Sequence, residues 1–420
     1  MRIVHITPDY SPAKGGGELY VKEMSERLVA RGHDVTVLAM NSRGLKGAGG
    51  RHLVPRERIR GVNVIRLRNT YRLHRRLLAI RGAQRALSLA VGRDRAHMLA
   101  ITPCSLRAFV ATLRAPSDVV GVVNWYHETL AYQTAIARRV RDFAFIGIPL
   151  FHTERPWASS PLFAPVLARC DAVVAMTNHE KQFVEQRSRR CNAHVAGAGV
   201  DPALFTRADG QRLRALHGIG SAPVVGYVGR MSASKGLVTL VEAMRIVWRQ
   251  NPMVRLLLAG SGLPWSGRCE EGVRRAFNQL SDAERSRVVA IASFDDAEKA
   301  SIFDAIDIFA MASVAESFGI SYLEAWMRQT AVIGSRIGST ECVIDDGVDG
   351  LLVSPGEPLS LAEAVLALLA DPERRVRMGQ AGHAKTLASF TWDKIADRVE
   401  SVYRQTHERV SGRRSGWSAA

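Results

Sequence analysis

Val224-Val-Gly-Tyr-Val-Gly229, followed by Arg230-Met-Ser-Ala-Ser-Lys235, the run Gly236 to Gln250 and then Val254 to Gly260, sets the reading of this chain. The first stretch is a short, apolar, β-branched run of the length of a buried strand. Within Gly236 to Gln250, residues Leu237, Leu240, Val241, Met244, Val247 and Trp248 recur at helical spacing and give one apolar stripe. Val254 to Gly260 is a second strand. Strand, helix, strand in this order implies a parallel crossover unit, whose sheet is buried on both faces by helices.

The pattern repeats outward in both directions. Val288 to Ala292, Ile306 to Ala312, Ala331 to Gly334 and Leu351 to Val353 extend the same sheet. In the first half, Ile3 to Thr7, a helix over Glu18 to Arg31 and Val35 to Leu38 form another such unit. Val62 to Leu67, Asp118 to Trp125, Phe143 to Phe151 and Ala172 to Thr177 continue it. The expected class is α/β, with two Rossmann-like, doubly wound parallel-sheet domains. Such sheets bind ligands beyond the carboxyl ends of their strands, so two of them facing one another place a cleft there. The junction is expected near residues 192 to 205, giving 1–197 as an N-terminal and 198–388 as a C-terminal domain. Residues 389–410, including Thr391 to His407, read as a final amphipathic helix, and Ser411 to Ala420 as a disordered tail.

Composition narrows the class. A chain of 420 residues is long enough for two cores. Its start lacks the basic, apolar and small-residue segments of a secretory signal, and no apolar run approaches the roughly 20 residues that span a bilayer. A cytoplasmic protein is expected, at most peripheral on the inner face of a membrane. The five cysteines, Cys104, Cys170, Cys191, Cys269 and Cys342, show no metal-binding spacing and read as buried or inert thiols. Charge is uneven: residues 1–200 hold 31 Lys+Arg against 14 Asp+Glu, and residues 201–420 hold 26 of each. Arg43 to Arg107 alone carries 16 basic residues against Glu57 and Asp94. Within it, Tyr71 to Val91 reads as a basic amphipathic helix, suited either to an anionic membrane surface or to packing on the sheet with its arginines solvated. The excess has neither an aromatic stacking pattern nor a recognised module, which argues against nucleic acid.

Four motifs sit where strands end. After Ile306 to Ala312 comes Glu316-Ser-Phe-Gly-Ile-Ser-Tyr-Leu-Glu324. There the N–H groups of Phe318, Gly319 and Ile320 open a helix and suit a phosphate, while Glu316 and Glu324 can each accept a pair of hydroxyl hydrogen bonds; the residues alone also fit a helix cap and a solvated Glu. Arg230 and Lys235 leave a strand and precede a helix, a setting for neutralising a leaving diphosphate or a plain turn with solvated cations. The cluster Gly15-Gly-Gly17 follows the first strand; glycine there lets a ligand approach the backbone, as it also would in a plain turn. His127 and His152 end successive strands, each within two residues of an acid, Glu128 and Glu154, and a histidine at a strand end is more often structural. A metal site from these four lacks any defining ligand spacing. No Asp-x-Asp occurs in the chain.

The run Glu316 to Glu324 resembles the E-x-F-G-x-x-x-x-E motif of retaining glycosyltransferases, most closely glycosyltransferase family 4. Ala331-Val-Ile-Gly-Ser, Gly338-Ser-Thr-Glu341 and Asp346 to Gly356 follow that family's order, and the likeness thins between residues 40 and 115. The resemblance implies the GT-B fold, with a final helix crossing back to the first domain and an interdomain site. It implies a nucleoside-diphosphate sugar, UDP- or GDP-linked, as donor, with no cofactor and no metal. It assigns Arg230 and Lys235 to the diphosphate, and of Glu316 and Glu324 it expects one at the transferred sugar and the other at the nucleotide, with Glu316 as catalytic and Glu324 as donor-binding. Phe318, Gly319, Ile320, Gly15 and Gly16 follow as donor contacts, and Gly17 is an extra glycine without a place. His152 matches the family's active-site histidine; His127 and Glu128 are acceptor-side candidates. The acceptor stays open, with a lipid-linked or polysaccharide precursor in view. A sugar-nucleotide epimerase or a non-catalytic nucleotide-sugar-binding subunit are the competing readings.

Overall fold

The computed structural model describes residues 1–40, 54–67, 106–125, 129–265, 269–292 and 294–415. The chain divides into two compact units: Met1–Phe151 with Pro156–Ala196 and Ile395–Ala420, and His152–Arg155 with Gly197–Lys394. His152 thus counts with the second unit although it follows a strand of the first.

The first unit is built on eight strands: β1 (Arg2–Thr7), β2 (Asp34–Ala39), β3 (Arg56–Ile59), β4 (Val62–Arg66), β5 (Val119–Val123), β6 (Ala144–Ile148), β7 (Ala172–Ala175) and β8 (Ala193–Val195). Their order is β3-β4-β2-β1-β5-β6-β7-β8. All neighbours are parallel except β3 and β4. Burial explains the sequence: every residue of β5, β6 and β7 is buried, so these strands are continuous apolar runs rather than alternating ones. The edge strand β3, Arg-Glu-Arg-Ile, is charged and half-exposed, and it escapes a reading based on apolar runs. It turns into β4 through Arg60 and Gly61, both at positive φ (44° and 84°), the handedness a two-residue hairpin needs.

The second unit carries β9 (Val224–Val228), β10 (Arg255–Ala259), β11 (Val288–Ile291), β12 (Ile308–Met311), β13 (Ala331–Ser335) and β14 (Gly350–Val353). They are ordered β11-β10-β9-β12-β13-β14 and are parallel throughout. Counted from β9 this is the 3-2-1-4-5-6 order of a dinucleotide-binding fold, and the order reverses between β9 and β12. The loops leaving those two strands carry Arg230, Lys235 and Glu316.

The last helix, Trp392–Ser415, begins in the second unit and continues in the first from Ile395. Within the first unit it is tied by a buried relay. His5 on β1 hydrogen-bonds through Nδ1 to Ser25 Oγ (2.8 Å) and through Nε2 to Tyr403 Oη (3.0 Å). At the surface Glu400 accepts from Arg31 (3.1 Å) and His33 (2.9 Å). The helix also corrects the expectation of a disordered tail from Ser411, since it runs on to Ser415. Val410 is buried and Arg409 donates to the Asp171 carbonyl, which anchors the turns on either side.

Candidate functional site

The loop after β9 is held in shape from three sides. Tyr227, fully buried, donates its hydroxyl to the Arg230 carbonyl (2.6 Å). The Met231 N–H reaches the Ser261 carbonyl (2.9 Å), and Glu270 accepts from the Ala233 N–H (2.8 Å). Gly236 then opens the helix Leu237–Gln250 at φ 75°, where a Cβ would lie 1.9 Å from the Ala312 carbonyl oxygen. Only glycine fits, so the loops after β9 and β12 run in contact. The Val314 N–H donates to Ser234 O (3.0 Å) across them.

That contact brings Lys235 to Glu316. The Lys235 Nζ stands 2.5 Å from Glu316 Oε2, and the Ser317 N–H donates to Oε1 at 3.2 Å. Glu316 is 5% exposed. Burial pushes its carboxyl up, but Lys235 and His152 outweigh that, and the net shift is below the ordinary carboxylate range. His152 is held below its usual value, first by burial and then by Lys235 and Arg155, against the opposing pull of Glu316; its ring also bonds to the backbone of Ala315. A carboxylate that stays ionised, a fixed cation and an imidazole that is neutral near pH 7 therefore share one place. Such a set can hold hydroxyls and meet developing negative charge.

The other expected residues fall as follows. Arg230 is exposed, with no ion-pair partner among the described residues. Glu324, 7% exposed, lies on the helix Ile320–Trp326 and accepts from Lys299 Nζ at 2.8 Å. Gly319 precedes that helix at φ 95°, and no side chain caps its first turn. Phe318 is buried against Phe390, ring centroids 5.5 Å apart. Ile320 is the helix's first residue. His127 and Glu128 lie outside the described residues. So do Cys104, the stretch Tyr71 to Val91 and most of Arg43 to Arg107; within the described part, Arg66 is buried and paired with Glu57. Cys170 and Cys269 are buried and Cys342 is exposed. Among the described residues no three of His, Cys, Asp and Glu stand together as a ligand set.

The glycine loop of the first unit sorts itself. A Cβ on Gly15 would meet the Glu18 carboxylate at 2.2 Å, and one on Gly16 would meet nothing within 4 Å. On Gly17 it would lie 2.8 Å from Asn124 Nδ2 and 3.4 Å from Leu150 Cδ1. Gly17, without a place in the sequence reading, is the one that admits the ends of β5 and β6. Asn124 and Leu150 both sit at positive φ, 61° and 56°. Leu150 is the unusual one, since a bulky residue there is strained, and such strain gathers at functional sites. Four residues that hold these segments were not foreseen: Asn124, Glu270, Lys299 and Glu180, whose carboxylate accepts from the Phe151 and Met176 N–H groups. Thr177-x-x-Glu180 has the spacing of a capping box, the one signal that could have marked Glu180.

The fold has known counterparts. A model described as Glycosyltransferase Family 4 matches residues 14–204, and one described as Glycosyl transferases group 1 matches residues 211–385. A D-inositol 3-phosphate glycosyltransferase of Segniliparus rotundus is 32% identical over 72% of this chain and 71% of that protein. An alpha-maltose-1-phosphate synthase of Mycolicibacterium smegmatis is 31% identical over 74% of this chain and 88% of that protein. Among solved structures, a sucrose-phosphate synthase from Thermosynechococcus elongatus superposes with a TM-score of 0.74 at 22% identity, covering 96% of this chain and 99% of that one. Anabaena HepE, solved with UDP and glucose, gives 0.72 at 18% identity over 96% and 100%. These two structures share the fold, and the sequence relatives carry the family: the chain belongs to the glycosyltransferases of the GT-B fold.

Proposed function

We propose that this enzyme transfers a glycosyl group from a nucleoside-diphosphate sugar to a phosphorylated small-molecule or lipid-linked acceptor, with retention at the anomeric carbon and without a metal. The observation that carries the donor assignment is the Lys235–Glu316 pair, 2.5 Å apart at the β9/β12 reversal point with His152 beside it. Neighbours solved with UDP and UDP-glucose support a uridine donor, with GDP the other choice. The acceptor reading draws on relatives named for inositol 3-phosphate and maltose-1-phosphate. An excess of positive charge confined to the first half suits an anionic acceptor or membrane.

In this reading Arg230 and Lys235 take the diphosphate, with the N–H groups of Phe318, Gly319 and Ile320 and the Gly15-Gly16 backbone near it. Glu324 takes the ribose, and Glu316 and His152 the hydroxyls of the transferred sugar. The bond between the anomeric carbon and the diphosphate oxygen breaks as the charge moving onto that oxygen is met by the two cations. The acceptor hydroxyl attacks from the same face and passes its proton to the departing oxygen, so no protein nucleophile is used. His127 and Glu128 belong to the acceptor side. The enzyme works in the cytoplasm, peripherally on the membrane's inner face through Arg43 to Arg107; among the described residues no helix is long and apolar enough to cross it.

Thermal-shift titration across UDP-, GDP-, ADP- and TDP-sugars tests the donor, because a ligand at about 100 times its Kd stabilises by about 2.7 kcal/mol. A uridine or guanosine donor raises the melting temperature of the native enzyme and leaves a Lys235→Ala variant unmoved. Equal shifts in both proteins contradict the assignment.

A further inference from the structure

We propose that Glu180 is a positioning residue for glycosyl transfer, its buried carboxylate fixing the turn that delivers His152. This rests on the reading of His152 as a sugar-binding residue. The helix Asn178–Arg187 begins at Thr177, whose hydroxyl accepts from the Glu180 N–H at 3.1 Å. In a capping box the glutamate side chain would turn back to the Thr177 N–H. Here it does something else. Oε1 accepts from the Phe151 N–H and Oε2 from the Met176 N–H, both at 2.7 Å. One carboxylate therefore ties the segment after β6 to the segment after β7, and the next residue along the first of these is His152.

Three features mark this as more than a cap. Glu180 is 1% exposed and has no ion pair among the described residues, so a charge is buried on two backbone amides alone. Burying an unpaired carboxylate is costly, and an apolar residue would serve the core better. The tied segment starts at Leu150, whose left-handed backbone needs something to hold it. The two acceptor oxygens are also both needed: a glutamine offers one oxygen and turns an N–H group toward the second amide, and a protonated carboxyl does the same with its hydroxyl.

Burial raises the Glu180 carboxyl to about 7. The titratable group coupled to it is Tyr20, on the helix Gly16–Ala30, whose own hydroxyl is pushed further up and stays protonated. His152 answers to a separate set, Glu316, Lys235 and Arg155. Loss of the second acceptor on protonation gives the turnover number an acid limb that belongs to Glu180.

The test is kcat and donor KM between about pH 6 and about pH 8 for the native enzyme, Glu180→Gln, Glu180→Asp and His152→Ala. The native kcat should fall with a midpoint near 7. Glu180→Gln should be down roughly tenfold or more at the alkaline end, flat with pH and merging with the native curve at the acid end, with donor KM changed less than about twofold. Glu180→Asp, which keeps a carboxylate, should retain a limb with a displaced midpoint, and it decides the matter if the glutamine variant does not fold. A native profile with no limb, or a limb unchanged in both variants, overturns the proposal. Full activity in His152→Ala overturns the underlying reading as well, whereas an impaired His152→Ala beside a fully active Glu180→Gln overturns this proposal alone.

Discussion

Gly16 and Gly236 are both glycines at the start of a helix beneath a strand end, and the space around them separates their roles. At Gly16 a methyl group meets nothing, so Gly16→Ala should leave the melting temperature unchanged or slightly raised, because alanine loses less entropy in a helix. If the donor or acceptor approaches that backbone, the same variant should lose activity, and initial rates beside a thermal melt test both halves. At Gly236 the methyl strikes the Ala312 carbonyl and φ is positive, so Gly236→Ala should cost more than about 3 kcal/mol in denaturant unfolding. The sequence showed that these loops need glycine but not which glycine, since close approach depends on what the fold brings opposite. Gly17 was unplaced for that reason: its neighbours, Asn124 and Leu150, are more than a hundred residues away. Glu316, Lys235 and His152, by contrast, were legible as candidates because each follows a strand in a short, characteristic run.

Single elements were legible where their apolar pattern was strong. The buried strands β5, β6, β9 and β12 and the helix Leu237–Gln250 emerged with ends shifted by at most three residues. The charged hairpin strand β3 and the three-residue β8 did not, being too polar or too short to signal. Hydrogen-bonded relays between distant elements were invisible, and two of them bear on pH. His5, linking β1 to the final helix, is pushed by burial down to about 4 from 6.5. A histidine lowered in this way stabilises fully above pH 6.5, and its contribution is lost as pH falls through that value toward 4, by up to about 3 kcal/mol. Glu180 has the opposite sign. Its folded value, about 7, lies above the ordinary 4.5, so its contribution is full below 4.5 and is lost as pH rises through 7. The two windows overlap with opposite signs, so in unfolding free energies measured from about pH 4 to about pH 8 His5→Asn should remove a rise with pH between about 4 and 6.5, and Glu180→Gln should remove a fall between 4.5 and about 7. Tyr403→Phe, which leaves His5 Nε2 without its partner, should cost about 1–3 kcal/mol at neutral pH.

At the scale of the whole molecule, the charge census divides the chain more sharply than any motif does. The second half is neutral overall, while the first carries the entire net charge of +17. If that excess serves an anionic membrane, sedimentation with vesicles should show binding that requires anionic lipid and weakens as salt screens the arginines. Equal binding to neutral and anionic vesicles at low salt contradicts it. Fold class was legible at this scale because alternating strands and helices leave two periodicities in the sequence, and the family through the resemblance carried by Glu316 to Glu324 and the motifs after it; the chemistry of the acceptor was not, since it depends on loops with no recurring pattern. The claim on which the rest depends is that Glu316 grips the sugar of a nucleotide-linked donor. The direct test is release of nucleoside diphosphate from UDP- and GDP-sugars in the presence of phosphorylated sugar or polyol acceptors, native enzyme against Glu316→Gln. The account predicts acceptor-dependent release that the substitution lowers by about 100-fold or more; release at the native rate from the Glu316→Gln enzyme would contradict it.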